Sequence, residues 1–327
     1  MTIQITIVGL GQIGASVGLA LGKRHSDIRR VGHDKSPEAA KKAQQKGAVD
    51  DVKYNLPASV REANIVLLSL PVQEIRPTLE VIAPDLPEGV VVMDTTPLQE
   101  SVAGWAQELL PEGRYFVGLS PAINPLYLHR IELGVDAAEE DMFDSSVIVL
   151  SPLPGTPEQA VQVAIDLIET LGATPLFADM PETDGLMAST HLVPQLIAAA
   201  SLNALVDQPG WQEGRKLAGR PFAALTSALA YQDEIESLGE ATLLNNSNVA
   251  RVLDVVIASL QGMRDDIASG SRQNLFDRLE LALDGRRRWL AERLQANWQS
   301  EGKEMNFDKV PSFWERFMGA RDHTRPE

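Results

Sequence analysis

Between Ile3 and Leu21 the chain sets the pattern that its other elements must fit. Ile3-Gln-Ile-Thr-Ile-Val8 is mostly β-branched and uncharged, Gly9-Leu10-Gly11-Gln12-Ile13-Gly14 follows at once, and apolar Ile13, Val17, Ala20 and Leu21 then recur at three-and-four spacing. These are the signs of a strand, a glycine turn and a helix. In such a turn Gly9 permits the tight bend, Gly11 lets a pyrophosphate approach the backbone, and Gly14 lets the helix pack on its strand. The start of the helix adds free N–H groups and a partial positive charge.

A second strand, Ile28 to His33, runs into Asp34, 20 residues after Gly14. An acidic side chain there accepts hydrogen bonds from an adenosine ribose and repels a 2′-phosphate, which favours NAD over NADP. Lys35 and Ser36 soften that preference, so NADP stays open. Asp34 also suits an ordinary turn, with Ser36 as N-cap and Pro37 opening the next helix. Cofactor contacts are expected from Gly9, Leu10, Gly11, Gln12, Ile13, Gly14 and Asp34, and from the later strand ends at Ser69, Leu70, Pro71 and Thr95.

At 327 residues the chain is long enough for about two domains. Strand and helix signals alternate to residue 178, and continuous apolar strands separated by helices imply an α/β fold, a Rossmann-type, mostly parallel sheet covered on both faces. Pro77 should kink or break its helix. Thr156, Pro157 and Gln159 should form a capping box that opens a helix stopped by Gly172. Ligands in such sheets bind beyond the carboxyl ends of strands, where Ser69, Thr95, Thr96 and Ser120 fall. From Pro181 onward the signals are helical. The expected organisation is a dinucleotide-binding domain over 1–179, an all-helical substrate and dimerisation domain over 180–300, and a tail over 301–327. Apolar stripes at Leu196, Ile197, Ala199, Ala200, Leu202 and Leu205, and at Val252, Leu253, Val256, Ile257 and Leu260, suit burial within the chain or against a second copy. Phe307, Phe313, Trp314 and Phe317 are candidate anchors for the tail.

The formal charge of −16 argues against nonspecific nucleic-acid or anionic-membrane binding, and means that an anionic substrate needs a local cationic pocket. With no cysteine, disulfides and thiolate nucleophiles are excluded, and five scattered histidines suggest no metal site. By this reading no apolar run reaches the roughly 18 residues of a membrane span. With no basic leader ahead of the first strand, a cytoplasmic protein is expected.

The order of motifs, GLGQIGASVG, an Asp-ended second strand, Asp94-Thr-Thr-Pro-Leu-Gln99, GLSPAINP, Gly134 to Phe143, and a helix carrying MASTHLVPQL, resembles the prephenate and arogenate dehydrogenases over about residues 1–230. The resemblance implies an NAD-binding domain joined to a helical dimerisation domain, a homodimer, a small carboxylate substrate, and oxidative decarboxylation in tyrosine synthesis. In that family hydride passes from a cyclohexadienol carbon to nicotinamide, while the histidine of a His-Pro motif takes the hydroxyl hydrogen bond. No effector domain is expected after the helical region.

Three positions depart from the family pattern. Ser120-Pro121 stands for His-Pro, Asp94-Thr-Thr-Pro-Leu-Gln99 for Asp-x-Gly-Ser-Val-Lys, and Thr226-Ser227 for the Thr-Arg pair that holds a carboxylate. Ser120, Thr96 and His191 are the expected catalytic residues. His191 lies three residues before Pro194 where the family has two, an offset of about 100° on a regular helix, which a kink at Pro194 could absorb. Arg215, Lys216 and Arg220 form a basic cluster beside the missing arginine, and Arg130 with His129 is a second candidate, so Arg220, Arg130 and Arg215 are the expected carboxylate-binding residues. A dehydrogenase for another small hydroxy acid and a noncatalytic dinucleotide-binding protein remain the alternatives.

Overall fold

A computed structural model describes residues 3–25, 27–231 and 235–298. Eight strands form one sheet: β1 Gln4–Val8, β2 Arg29–His33, β3 Asp51–Val52, β4 Ile65–Leu68, β5 Val91–Asp94, β6 Tyr115–Pro121, β7 Val147–Pro152 and β8 Thr174–Phe177. Their spatial order is β3-β2-β1-β4-β5-β6-β7-β8. The first six run parallel, β7 turns antiparallel to β6, and β8 lies parallel to β7. The order reverses between β1 and β4, which opens a crevice at their carboxyl ends.

The helices beside the sheet are α1 Gln12–Arg24, α2 Pro37–Gln45, α3 Leu56–Val60, α4 Val72–Ile82, α5 Glu100–Leu109 and α6 Glu158–Thr170. Alternate strand residues bury opposite faces. Ile5, Ile7, Leu67, Met93 and Val117 pack with α1, α2 and α6. Val66, Leu68, Val92 and Phe116 pack with α4 and α5 on the other side.

Beyond Phe177 the described elements are helical: α7 Met180–Met187, a π turn Ala188–Leu192, α8 Val193–Leu205, α9 Trp211–Leu217, α10 Arg220–Thr226, α11 Ile235–Leu244, α12 Asn246–Ser269 and α13 Arg272–Gln295. Met180, Ala188, Leu192, Val193, Leu238, Ala241 and Val249 join the core on the α4–α5 side, so α7, the π turn, α8, α11 and α12 pack on that face of the sheet. The stripe on α8 is only partly covered, with Leu205 exposed, and on α12 Ile257 and Leu260 are exposed. The proposed tail anchors lie outside the described residues.

Several local expectations need correction. Helix α4 runs through Pro77 without a break. The capping box at Thr156 does not form: α6 starts at Glu158, and Pro157 is its N-cap with no side-chain hydrogen bond. Gly172 does end that helix, at φ +86°. Contrary to the reading of apolar runs, the helical stretch Met180–Leu205, 26 residues with mean hydropathy 1.2 in its best window, is long and apolar enough to cross a bilayer by length and composition alone. Ala188, Leu192 and Val193 within it nevertheless pack into the core beside the sheet.

Candidate active site

The glycine turn has the geometry its sequence implies. Gly9 has φ +92°, and a Cβ on it would stand 2.2 Å from the Ser69 carbonyl oxygen. A Cβ on Gly14 would meet Gly9 O at 2.0 Å, whereas one on Gly11 would meet nothing within 4 Å. Gly9 and Gly14 are thus required by the fold, while Gly11 faces open space. Gly11 is also the N-cap of α1, without a side-chain cap and with no acidic residue in the first turn. Its leading N–H groups therefore remain for an anion.

Around this turn the strand ends converge. The Ser69 N–H donates to Val8 O at 2.8 Å, and the Thr95 N–H to Leu68 O at 3.0 Å. Thr95 Oγ1 lies 3.2 Å from Ser69 Oγ, and Pro71 is the N-cap of α4. Asp34 Oδ2 accepts the Leu10 N–H and Oδ1 the Ser36 N–H, both at 2.8 Å. The carboxylate therefore locks the loop, and its remaining lone pairs can still accept from ribose hydroxyls. Ser36 also caps α2, as expected, through Ala39 N–H. Lys35, expected to soften the cofactor preference, is ion-paired with Glu74 at 3.2 Å.

At the end of β5 lies a buried polar group of residues. Asp94 has no exposed surface, and burial, only partly offset by hydrogen bonds from Thr96 and Thr95, pushes its pKa up to about 7. Thr96 Oγ1 lies 2.5 Å from Asp94 Oδ2 and 3.1 Å from Leu98 O. The Thr96 hydroxyl and N–H both donate to Asp94 Oδ2. The Thr96 side chain thus holds this turn together. Ser120 does not lie in a loop: it is a buried residue of β6, whose last three residues extend past Gly118, the partner of Asp94. Ser120 pairs with Val149 and Pro121 with Ile148 across the antiparallel ladder, and the β5 side beyond Gly118 needs no N–H from Pro121.

Two residues singled out only in part from sequence complete this group. Gln99, fully buried, directs its amide nitrogen at Ser120 Oγ. Asp184 of α7 accepts the N–H groups of Gln99 at 2.6 Å and Glu100 at 3.2 Å, capping α5 from a distant element. Asn245 in turn donates to Asp184 O. Pro181-Glu-Thr-Asp184 signals a helix start, but nothing in its spacing shows that Asp184 caps a different helix.

His191 lies in the π turn, seven residues beyond Asp184 and about 10 Å further along the helix. The π turn Ala188–Leu192 runs directly into α8 at Val193, one residue before Pro194. His191 is accessible to water, yet protein surrounds it closely enough for desolvation to lower its pKa below 6.5. Arg215 and Arg220 are exposed on α9 and α10, and neither makes an ion pair among the described residues. Arg130 does: its Nη1 lies 2.5 Å from Glu139, and it stacks on Tyr127. None of the three arginines hydrogen-bonds to Ser120, Thr96 or His191 among the described residues. Arg293 of α13, not singled out from sequence, donates to Ile123 O at 2.5 Å, three residues past Ser120.

Residues 17–176 match the model of a known family domain, "Prephenate dehydrogenase, nucleotide-binding domain". The prephenate dehydrogenase of Bacillus subtilis (strain 168) is 26% identical over 324 residues, 98% of this chain and 81% of that protein. The cyclohexadienyl dehydrogenase of Zymomonas mobilis is 27% identical over 281 residues, 84% of this chain and 92% of that protein. The A. aeolicus prephenate dehydrogenase structure, in complex with hydroxyphenyl propionate and NAD+, superposes with a TM-score of 0.77 at 19% identity, covering 88% of this chain and 98% of its own. That superposition extends past the sheet into the helices and shows a shared fold, and the two sequence relatives span most of both chains, so the chain is similar to the prephenate and cyclohexadienyl dehydrogenases and carries their nucleotide-binding domain over residues 17–176.

Proposed function

We propose that this protein is an NAD-dependent dehydrogenase that oxidatively decarboxylates prephenate or arogenate, as a cytoplasmic homodimer. The dinucleotide cradle carries the reading: the turn at Gly9, the open face of Gly11, the uncapped start of α1 and Asp34 on the loop fit a pyrophosphate and a ribose. NAD, when bound, supplies the hydride acceptor. The rest falls to the protein, which must hold the substrate carboxylates, orient the ring hydroxyl and limit access of water.

The reaction balances without net removal of the hydroxyl proton. Hydride leaves the ring carbon that bears the hydroxyl, the bond to the ring carboxylate breaks as carbon dioxide departs, and its electron pair makes the ring aromatic. The oxygen ends as a phenol. A hydrogen-bonding group that does not ionise is therefore adequate at position 120, and Ser120 fills that role. His191, neutral at pH 7, accepts a second hydrogen bond from the substrate side of the cleft. Arg215 and Arg220 are the proposed partners of the substrate carboxylates, while Arg130 would first have to leave Glu139. Exposed Ile257 and Leu260 on α12 and Leu279 and Leu283 on α13 support a dimer.

The test is the appearance of reduced cofactor when purified protein meets prephenate or arogenate with NAD or NADP. Absence of any signal above background would end this reading. A second reading, another small hydroxy acid on the same scaffold, is supported by the departures from the family pattern at Pro97, Gln99, Ser120 and Ser227. It requires turnover of such an acid with prephenate and arogenate both inactive.

A further inference from the structure

Two of the positions that depart from the family pattern touch each other. Gln99 Nε2 lies 3.2 Å from Ser120 Oγ, and the same nitrogen lies 2.9 Å from Thr96 O and 3.3 Å from Leu119 O. Carbonyls only accept, so the amide nitrogen, not its oxygen, must face this cluster. Gln99 therefore donates to Ser120, which keeps its own proton and one lone pair for another partner.

The fit around Gln99 is close. A Cβ on Gly118 would stand 1.7 Å from Gln99 Oε1, so only glycine leaves room for this amide. Gln99 Oε1 has no hydrogen-bond partner and is buried, a cost that a side chain with no structural or functional task would not carry. The Gln99 backbone is held as well, because Asp184 fixes its N–H. A flexible side chain is thus clamped at both ends beside the Ser120 hydroxyl.

We propose that Gln99 is a positioning residue. It fixes Ser120 Oγ so that position 120 meets the substrate oxygen through a neutral hydrogen bond, and the two residues replace, as one unit, the lysine and histidine of the family pattern. This rests on the dehydrogenase reading above, in which Ser120 faces the substrate hydroxyl.

The experiment uses the full chain with NAD and whichever of prephenate and arogenate it turns over, comparing Gln99→Met, Ser120→Ala and the double variant. Gln99→Met should lower kcat about tenfold, the worth of one well-placed hydrogen bond, while substrate KM and NAD Kd stay within about twofold. Ser120→Ala should lower kcat at least as much, and the double variant should be no slower than Ser120→Ala, because Gln99 acts only through the serine. Gln99→Glu keeps the shape but sets a carboxylate against the Thr96 and Leu119 carbonyls and makes Ser120 donate its proton instead of accepting one; it should show the same loss and the same dependence on Ser120, and it serves if Gln99→Met does not fold. Losses that multiply in the double variant, or wild-type kcat in both Gln99 variants, would overturn the proposal and leave the dehydrogenase reading intact. A wild-type protein that turns over neither substrate would overturn both.

Discussion

Gly9 and Gly11 stand two residues apart in one motif, and alanine at each should do opposite things. At Gly9 the backbone is left-handed, which costs a residue with a Cβ about 1–2 kcal/mol. The new methyl would also press on Ser69 O at 2.2 Å and on Leu70 Cδ2 at 2.9 Å, and overpacking of this kind costs about 1–3 kcal/mol. Gly9→Ala should therefore destabilise the protein by roughly 2–5 kcal/mol, or roughly 5–15 °C in Tm for a domain of this size. Gly11 has φ −72° and ψ −160°, which any residue adopts, and open space beyond its Cα. Alanine is a poorer N-cap than glycine, but it also lowers the entropy of the unfolded chain, so the net change should lie within about 0.5 kcal/mol. That methyl would instead occupy the approach of the pyrophosphate and should weaken NAD at least about tenfold. Calorimetric titration with NAD and thermal unfolding of both variants separate the two effects. A Gly11→Ala protein that binds NAD like the wild type would refute the proposed cradle.

Three further outcomes follow from Asp94, Asp184 and His191. Asp94 titrates near pH 7 when folded and near 3.8 when unfolded; between those values only the unfolded chain loses the proton, so unfolding free energy should fall as pH rises across that window, by on the order of 4 kcal/mol. Asp94→Asn should flatten that dependence in urea titrations at pH 5 and pH 8, and an unchanged slope would count against a protonated Asp94. Asp184→Ala removes the cap of α5 and should cost roughly 1–2 kcal/mol in the same assay; a wild-type midpoint would mean the contact contributes nothing. Desolvation lowers the His191 pKa, so kcat/KM should lose activity only below pH 6.5, where the imidazole becomes charged and stops accepting. If His191→Gln keeps the same acid limb, another group is responsible.

The N-terminal turn is legible in sequence because its requirements are local: an uncharged β-branched run, three glycines and an apolar helix face follow one another without a gap. Ser36 and Pro37 at the start of α2 are legible for the same reason. The reading fails where a partner comes from far along the chain. Ser120-Pro121 looks like the end of a strand, yet β7 returns antiparallel and extends β6 through both residues. Strand β3, of two residues, and helix α3, of five, are too short to show a period. The spacing of His191 and Pro194 is visible in the sequence, but the π turn that carries His191 is not. Gln99 reads only as a missing lysine until its contact with Ser120 is seen, and Asp184 only as a helix-start acid until α5 packs beside it.

The most direct measurement is cofactor reduction on mixing the protein with prephenate and NAD, with arogenate and NADP in parallel and released carbon dioxide counted. One equivalent of carbon dioxide per reduced cofactor, with either substrate, is the expected result. Calorimetrically confirmed NAD binding with no reduced cofactor from either substrate would contradict the account.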